Sequence, residues 1–124
     1  MGKDDINKNH PLEQRTQVFA KKVRAFLQPL QRRPLFFEDS KQLLRSSGSV
    51  AANYIEANES LTKKDFTYRI SICRKEAKET MFWLSVFVGL ALGEEQERKK
   101  LYQEATELMK IFNAILWKVK YTDK

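Results

Sequence analysis

The sequence predicts an all-α fold, an up-down-up-down four-helix bundle, and three observations carry that prediction. Apolar residues recur in alternating steps of three and four through most of the chain. No segment alternates apolar and polar residues with the period of two that a half-buried strand needs. Only four Gly and three Pro punctuate 124 residues, so the connectors are short and neighbouring helices run antiparallel. With 42% hydrophobic residues the chain is too apolar for disorder, and its length supports one core.

The elements follow in order. Residues 1–11 are polar and read as a flexible lead-in to a domain spanning 12–121. A first helix over 12–31 places Phe19, Val23, Phe26 and Leu30 on one stripe, with Pro29 at its frayed end. Arg32-Arg33-Pro34 is a connector. A second helix over 38–58 opens with Glu38 and Asp39, acids that suit the positive end of a helix. Its centre, Ser46-Ser47-Gly48-Ser49-Val50-Ala51-Ala52, is poor in helix formers. The spacing Leu44, Ser47, Ala51, Ile55 nevertheless favours a helix that approaches a neighbour closely.

The third helix, 62–92, begins with the capping signature Thr62-Lys63-Lys64-Asp65. Its seam is the longest in the chain: Phe66, Ile70, Cys73, Ala77, Thr80, Leu84, Phe87, Ala91. A second stripe runs beside it through Ile72, Glu76, Glu79, Trp83, Val86 and Leu90, so this helix asks for partners on two sides and hints at oligomer contacts. Gly93 is expected to end it. The fourth helix, 94–121, starts with Glu94 and Glu95 and carries Leu101, Ala105, Leu108, Phe112, Ile115 and Val119. Leu116 and Trp117 lie off that line.

Composition narrows the function. The net charge is +7, and residues 1–45 hold most of the excess, with 10 basic against 5 acidic groups. The exposed cations expected to meet a polyanion are Lys21, Lys22, Arg24, Arg32, Arg33 and Lys41. No apolar run is long enough to span a membrane, the start Met1-Gly2-Lys3-Asp4-Asp5 has no signal-peptide character, and one cysteine cannot form an internal disulfide. The expectation is a cytoplasmic protein with no membrane partner.

Catalytic signatures are missing. One histidine, His10, cannot supply a triad or a multi-histidine metal site. Cys73 falls on the third helix's seam and reads as a buried small hydrophobe. There is no phosphate-binding Gly loop and no Glu-x-x-His pair. No enzyme, metal or cofactor is expected. The polar residues Asn53, Glu56, Arg74, Lys75, Glu76 and Glu79 read as an ion network fixing the register of helices two and three, with acid–base work by the Glu76/Glu79 pair the lesser alternative. Phe82, Trp83 and Phe87 read as core or interface before base-stacking platform, and Trp117 with Tyr121 as helix–helix contacts.

The stretch from Arg45 through Ser46-Ser47-Gly48-Ser49-Val50-Ala51-Ala52-Asn53-Tyr54-Ile55-Glu56-Ala57 to Asn58 resembles the signature of the bacterial 23S rRNA intervening-sequence proteins. Lys63-Lys64-Asp65-Phe66, Ile70-Ser71-Ile72, Lys75-Glu76-Ala77-Lys78-Glu79-Thr80 and Trp83-Leu84 extend the likeness. The resemblance implies a small four-helix bundle assembled as a homopentameric ring. It also implies kinship with the accessory variability determinant of diversity-generating retroelements, a basic barrel that contacts a reverse transcriptase and nucleic acid. Two functions follow as expectations: a non-enzymatic homo-oligomer that binds RNA or DNA, or a nucleoprotein, through a basic surface, or a protein-interaction scaffold that binds no nucleic acid.

Overall fold

The computed structural model of the chain describes residues 11–122. Residues 1–10 of the expected lead-in, His10 among them, lie outside that span. The described residues form four helices and no strand: α1 (Pro11–Leu30), α2 (Phe37–Asn58), α3 (Lys63–Ser85) and α4 (Leu92–Thr122), with a 3-10 turn at Pro34–Phe36 between the first two. Pro11, assigned to the lead-in by the sequence reading, opens α1, where a missing N–H costs nothing.

α1 buries Thr16, Phe19, Val23, Phe26, Leu27 and Leu30. Pro29 sits inside its last turn, and the backbone closes past it through Gln31 N–H to Leu27 C=O at 2.9 Å. α2 is helical through its Gly/Ser centre because those small residues pack on two sides: Ser46 and Val50 meet α3, while Ser47, Gly48 and Ala51 face α1. The Ser46 and Ser47 hydroxyls satisfy themselves on carbonyls three residues back, at 3.3 and 3.2 Å. Thr80 of α3 then donates to Ser46 Oγ at 2.9 Å, and the Cys73 thiol reaches Val50 C=O at 3.6 Å. Close contact along α2 and α3 compensates for the weak propensity of the segment.

Thr62 caps α3 by accepting the Asp65 N–H at 3.1 Å, and Ile70, Cys73, Ala77, Thr80 and Leu84 are fully buried. The helix stops at Ser85, short of the expected 92. Phe87 explains the early stop. Its ring turns in to stack on Phe36 at 5.1 Å and meets Phe26 edge-on at 5.8 Å, closing one end of the core. Gly89, at φ 77°, then reverses the chain in the left-handed region that glycine enters freely. Gly93, the expected stop, lies in the first turn of α4 instead, and Ala91 is exposed. Glu94 reaches back to cap that turn by accepting the Ala91 N–H at 3.1 Å.

α1 packs along α2, α2 along α3 and α3 along α4, whereas α1 and α4 meet sparsely. Between those two helices lies a groove of about 950 Å³. On α4 the buried residues are Leu101, Ala105, Leu108 and Phe112; from Asn113 to Tyr121 none is buried. Trp117 is 63% exposed and packs on Tyr121, ring centroids 4.3 Å apart.

Candidate nucleic-acid interface

Helical geometry divides the six cations singled out in the sequence. Lys21 and Arg24, three residues apart, share a face of α1 and form the rim of a small recess against Leu44, Ser47, Gly48 and Ala51 of α2. Lys22 points the other way and lines the α1–α4 groove. Arg32 is exposed in the turn after α1. Arg33 and Lys41 are engaged locally: Arg33 lies 3.8 Å from Glu94 and over the Phe36 ring, and the Lys41 ammonium sits over Phe37. The cations therefore occupy separate positions: Lys21 and Arg24 on the α2 side of α1, Lys22 on its α4 side, and Arg32 exposed in the following turn.

Ion pairing is selective. Between described residues every ion pair uses an arginine: Arg15 with Glu104 and Glu107, Arg33 with Glu94, Arg45 with Glu76 and Glu79, Arg69 with Glu56, Arg98 with Glu95. Arg15 holds Glu104 in a bidentate grip at 2.7 and 2.8 Å, and that hydrogen bonding pushes its own pKa further up. A hydrogen bond from Gln103, and then Arg15, hold the Glu107 carboxyl below its ordinary value. Arg98 does the same for Glu95. These pairs take up part of the acidic charge inside the chain, while Arg24, Arg32 and Arg74 pair with no described acid.

The expected network between α2 and α3 resolves into two clusters with other cations at their centres. In the first, Arg45 binds Glu76 at 3.3 Å and also Glu79, whose carboxylate accepts the Trp83 indole N–H at 3.1 Å. Glu76 is only 7% exposed, and Arg45 is the cation that faces its carboxylate. In the second, Arg69 donates to Asn53 Oδ1 at 3.0 Å and approaches Glu56 at 4.0 Å. Arg74 turns instead toward α4 and donates to Asn113 at 3.3 Å, while Lys75 is exposed. Pairing across helices is set by register, which spacing within one helix does not determine.

The α1–α4 groove has an apolar floor of Val18, Phe19, Ala25, Phe26 and Leu101. Its charged rim is balanced, with Arg15, Lys22 and Lys100 against Glu97, Glu104 and Glu107. Burial pushes the Cys73 thiol up to about 12, which leaves it a non-nucleophilic thiol at neutral pH. Among the described residues no three His, Cys, Asp or Glu side chains gather as a metal site, and no helix is long and apolar enough to cross a membrane.

These features define a small helical bundle with a basic exterior. The chain belongs to the 23S rRNA-intervening sequence protein family, whose profile matches residues 8–114. Among solved structures it is similar to the crystal structure of a protein of unknown function from the S23 ribosomal protein family of Bacteroides thetaiotaomicron VPI-5482. The two share a TM-score of 0.75 and 27% identity, over 84% of this chain and 96% of that one. Comparison with curated proteins finds no match.

Proposed function

We propose that the chain is a non-catalytic, cytoplasmic homo-oligomer that binds nucleic acid through its outward cations, five copies to a ring as the family resemblance implies. The division of charge carries this reading. Arginines take up Glu56, Glu76, Glu79, Glu94, Glu95, Glu104 and Glu107, while the exposed Lys21, Arg24 and Arg32 pair with no described acid and can face a polyanion. Copies of a chain with net charge +7 repel one another, so a second copy meets the first most readily where charge is balanced and the floor is apolar. The α1–α4 groove supplies that face. Repetition of the helix-one cations around a ring gives avidity for a long strand.

The test is a salt series with labelled RNA and DNA, since each phosphate contact steepens the loss of affinity with salt. Combined charge reversal at Lys21, Arg24 and Arg32 is expected to weaken binding strongly while leaving mass and helicity unchanged. Negligible binding of either nucleic acid at low salt overturns the nucleic-acid reading in favour of a protein-interaction scaffold.

A further inference from the structure

The outer face shared by α3 and α4 has a chemistry that the helix-one cations lack. On α4 the positions Lys99, Tyr102, Lys110 and Trp117 follow helical steps along one exposed line. On α3 the exposed Arg74 and Lys78 run beside it. The bond from Arg74 to Asn113 at 3.3 Å brings the two rows together at one level. Ser85, Arg98, Lys99 and Tyr102 bring them together at another, around a recess of about 250 Å³. From Lys99 down to Trp117 the nearest carboxylate is Glu107, one turn from Lys110 at the margin of this face, where Gln103 and Arg15 hold it toward α1. Glu95, one turn above, is held by Arg98 at 2.6 and 2.7 Å. The carboxylates of Glu76 and Glu79 turn toward α2, where Arg45 holds them.

We infer that this α3–α4 face is a second nucleic-acid surface, specific for single strands. The inference rests on the nucleic-acid reading above. Arg74, Lys78, Lys99 and Lys110 track the phosphates, and Tyr102 and Trp117 offer rings to unpaired bases. A duplex keeps its bases stacked and has no use for exposed rings, whereas every free base presents a π-face. The two aromatics lie about 22 Å apart along α4 at 1.5 Å per residue, so a bound strand follows the helix axis. The apolar, charge-balanced α1–α4 groove is the face proposed for self-association, which leaves this cationic face to another partner.

The experiment uses the full chain and a labelled oligouridylate, with a duplex RNA of matched length as control. The chain's two tryptophans are Trp83 and Trp117. Stacking predicts that oligouridylate quenches tryptophan emission, and that Trp117→Phe binds the oligomer but loses most of the quench. Trp117→Ala is expected to bind the single strand roughly 5- to 150-fold more weakly, with duplex binding unchanged. The Lys78→Glu/Lys110→Glu variant is expected to flatten the slope of log affinity against log salt by roughly 1.4 for two lost single-strand phosphate contacts. The helix-one triple reversal, by contrast, should retain the Trp117 quench. Full single-strand affinity in both Trp117→Ala and Lys78→Glu/Lys110→Glu, with binding abolished by the helix-one reversal alone, overturns this surface and leaves the helix-one site standing. A Trp117→Ala protein of changed oligomeric mass and unchanged affinity also overturns it, assigning the face to a subunit contact. Absence of all nucleic-acid binding overturns both readings.

Discussion

Between α2 and α3 the chain closes through small residues, a buried hydroxyl pair and a carboxylate held by Arg45; between α1 and α4 it leaves a groove bridged by one arginine. At the first seam Ser46, Val50, Cys73 and Thr80 let the backbones approach, and charge enters at its margins, where Arg45 meets Glu76 and Arg69 approaches Glu56. At the second, Val18 and Ala25 face open space, and Arg15 reaches across to Glu104 and Glu107. The difference separates two tasks. The closed seam specifies the fold, and the open one leaves exposed the apolar, charge-balanced face proposed above to meet another copy.

The largest expected contrast comes from paired truncations. Phe112→Ala should destabilise the chain by about 3–5 kcal/mol through the cavity it leaves, whereas Val18→Ala on the groove wall should cost under about 1 kcal/mol. Urea unfolding of the two variants measures both, and equal losses would erase the distinction between closed core and open groove. Charge should divide in the same way within the α2–α3 seam. Arg45→Ala leaves the buried Glu76 carboxylate without its cation, an expected cost of about 3 kcal/mol. Glu56→Ala, whose side chain is 59% exposed, should cost roughly 0–1 kcal/mol. Comparable thermal shifts in the two would show that Arg69 and Glu56 form a tighter pair than their 4.0 Å separation implies.

A smaller effect is expected at the clasp across the groove. Glu107 has a folded-state pKa below its ordinary 4.5, so its stabilising contribution is present above that value and lost as pH falls through the lowered one. Hydrogen exchange in α1 should therefore stay flat from neutral pH to about 4.5 and speed up below it, relative to α3. Arg15→Ala should remove that acid-dependent step. The smallest effect belongs to Gly48. A Cβ there meets nothing within 4 Å, so Gly48→Ala should raise stability by about 0.5–1 kcal/mol through helix propensity alone. Destabilisation in a calorimetric scan would mean that the recess beside Lys21 and Arg24 is filled in solution.

Much of this contrast could be read from the residues. The seam Ile70, Cys73, Ala77, Thr80, Leu84 is legible because burial on one side of a helix imposes its period on the sequence. The same period misplaces the end of α3. Phe87 falls in step with the seam and is buried, but it is buried from a turn, and spacing does not distinguish a helical aromatic from one that folds back over a core end. Arg45 lay within the motif that resembles the family, yet its partnership with Glu76 depends on helix register. One signal is available: Arg45 directly precedes Ser46, the small residue that meets Thr80 of α3. Trp117 and Tyr121 were read as helix–helix contacts; they do touch, but each other, and the 63% exposure of Trp117 marks it as surface.

The claim that one copy leaves a face for another is tested most directly by the mass of the native protein across a wide concentration range. The account predicts a single species larger than one chain, at a whole-number multiple of 14.6 kDa above the first, in sedimentation velocity. It further predicts that Ala25→Glu, which places a charge on the groove floor, shifts that species toward the single chain while helicity is retained. A wild-type protein that sediments as a 14.6 kDa chain at every concentration would contradict it.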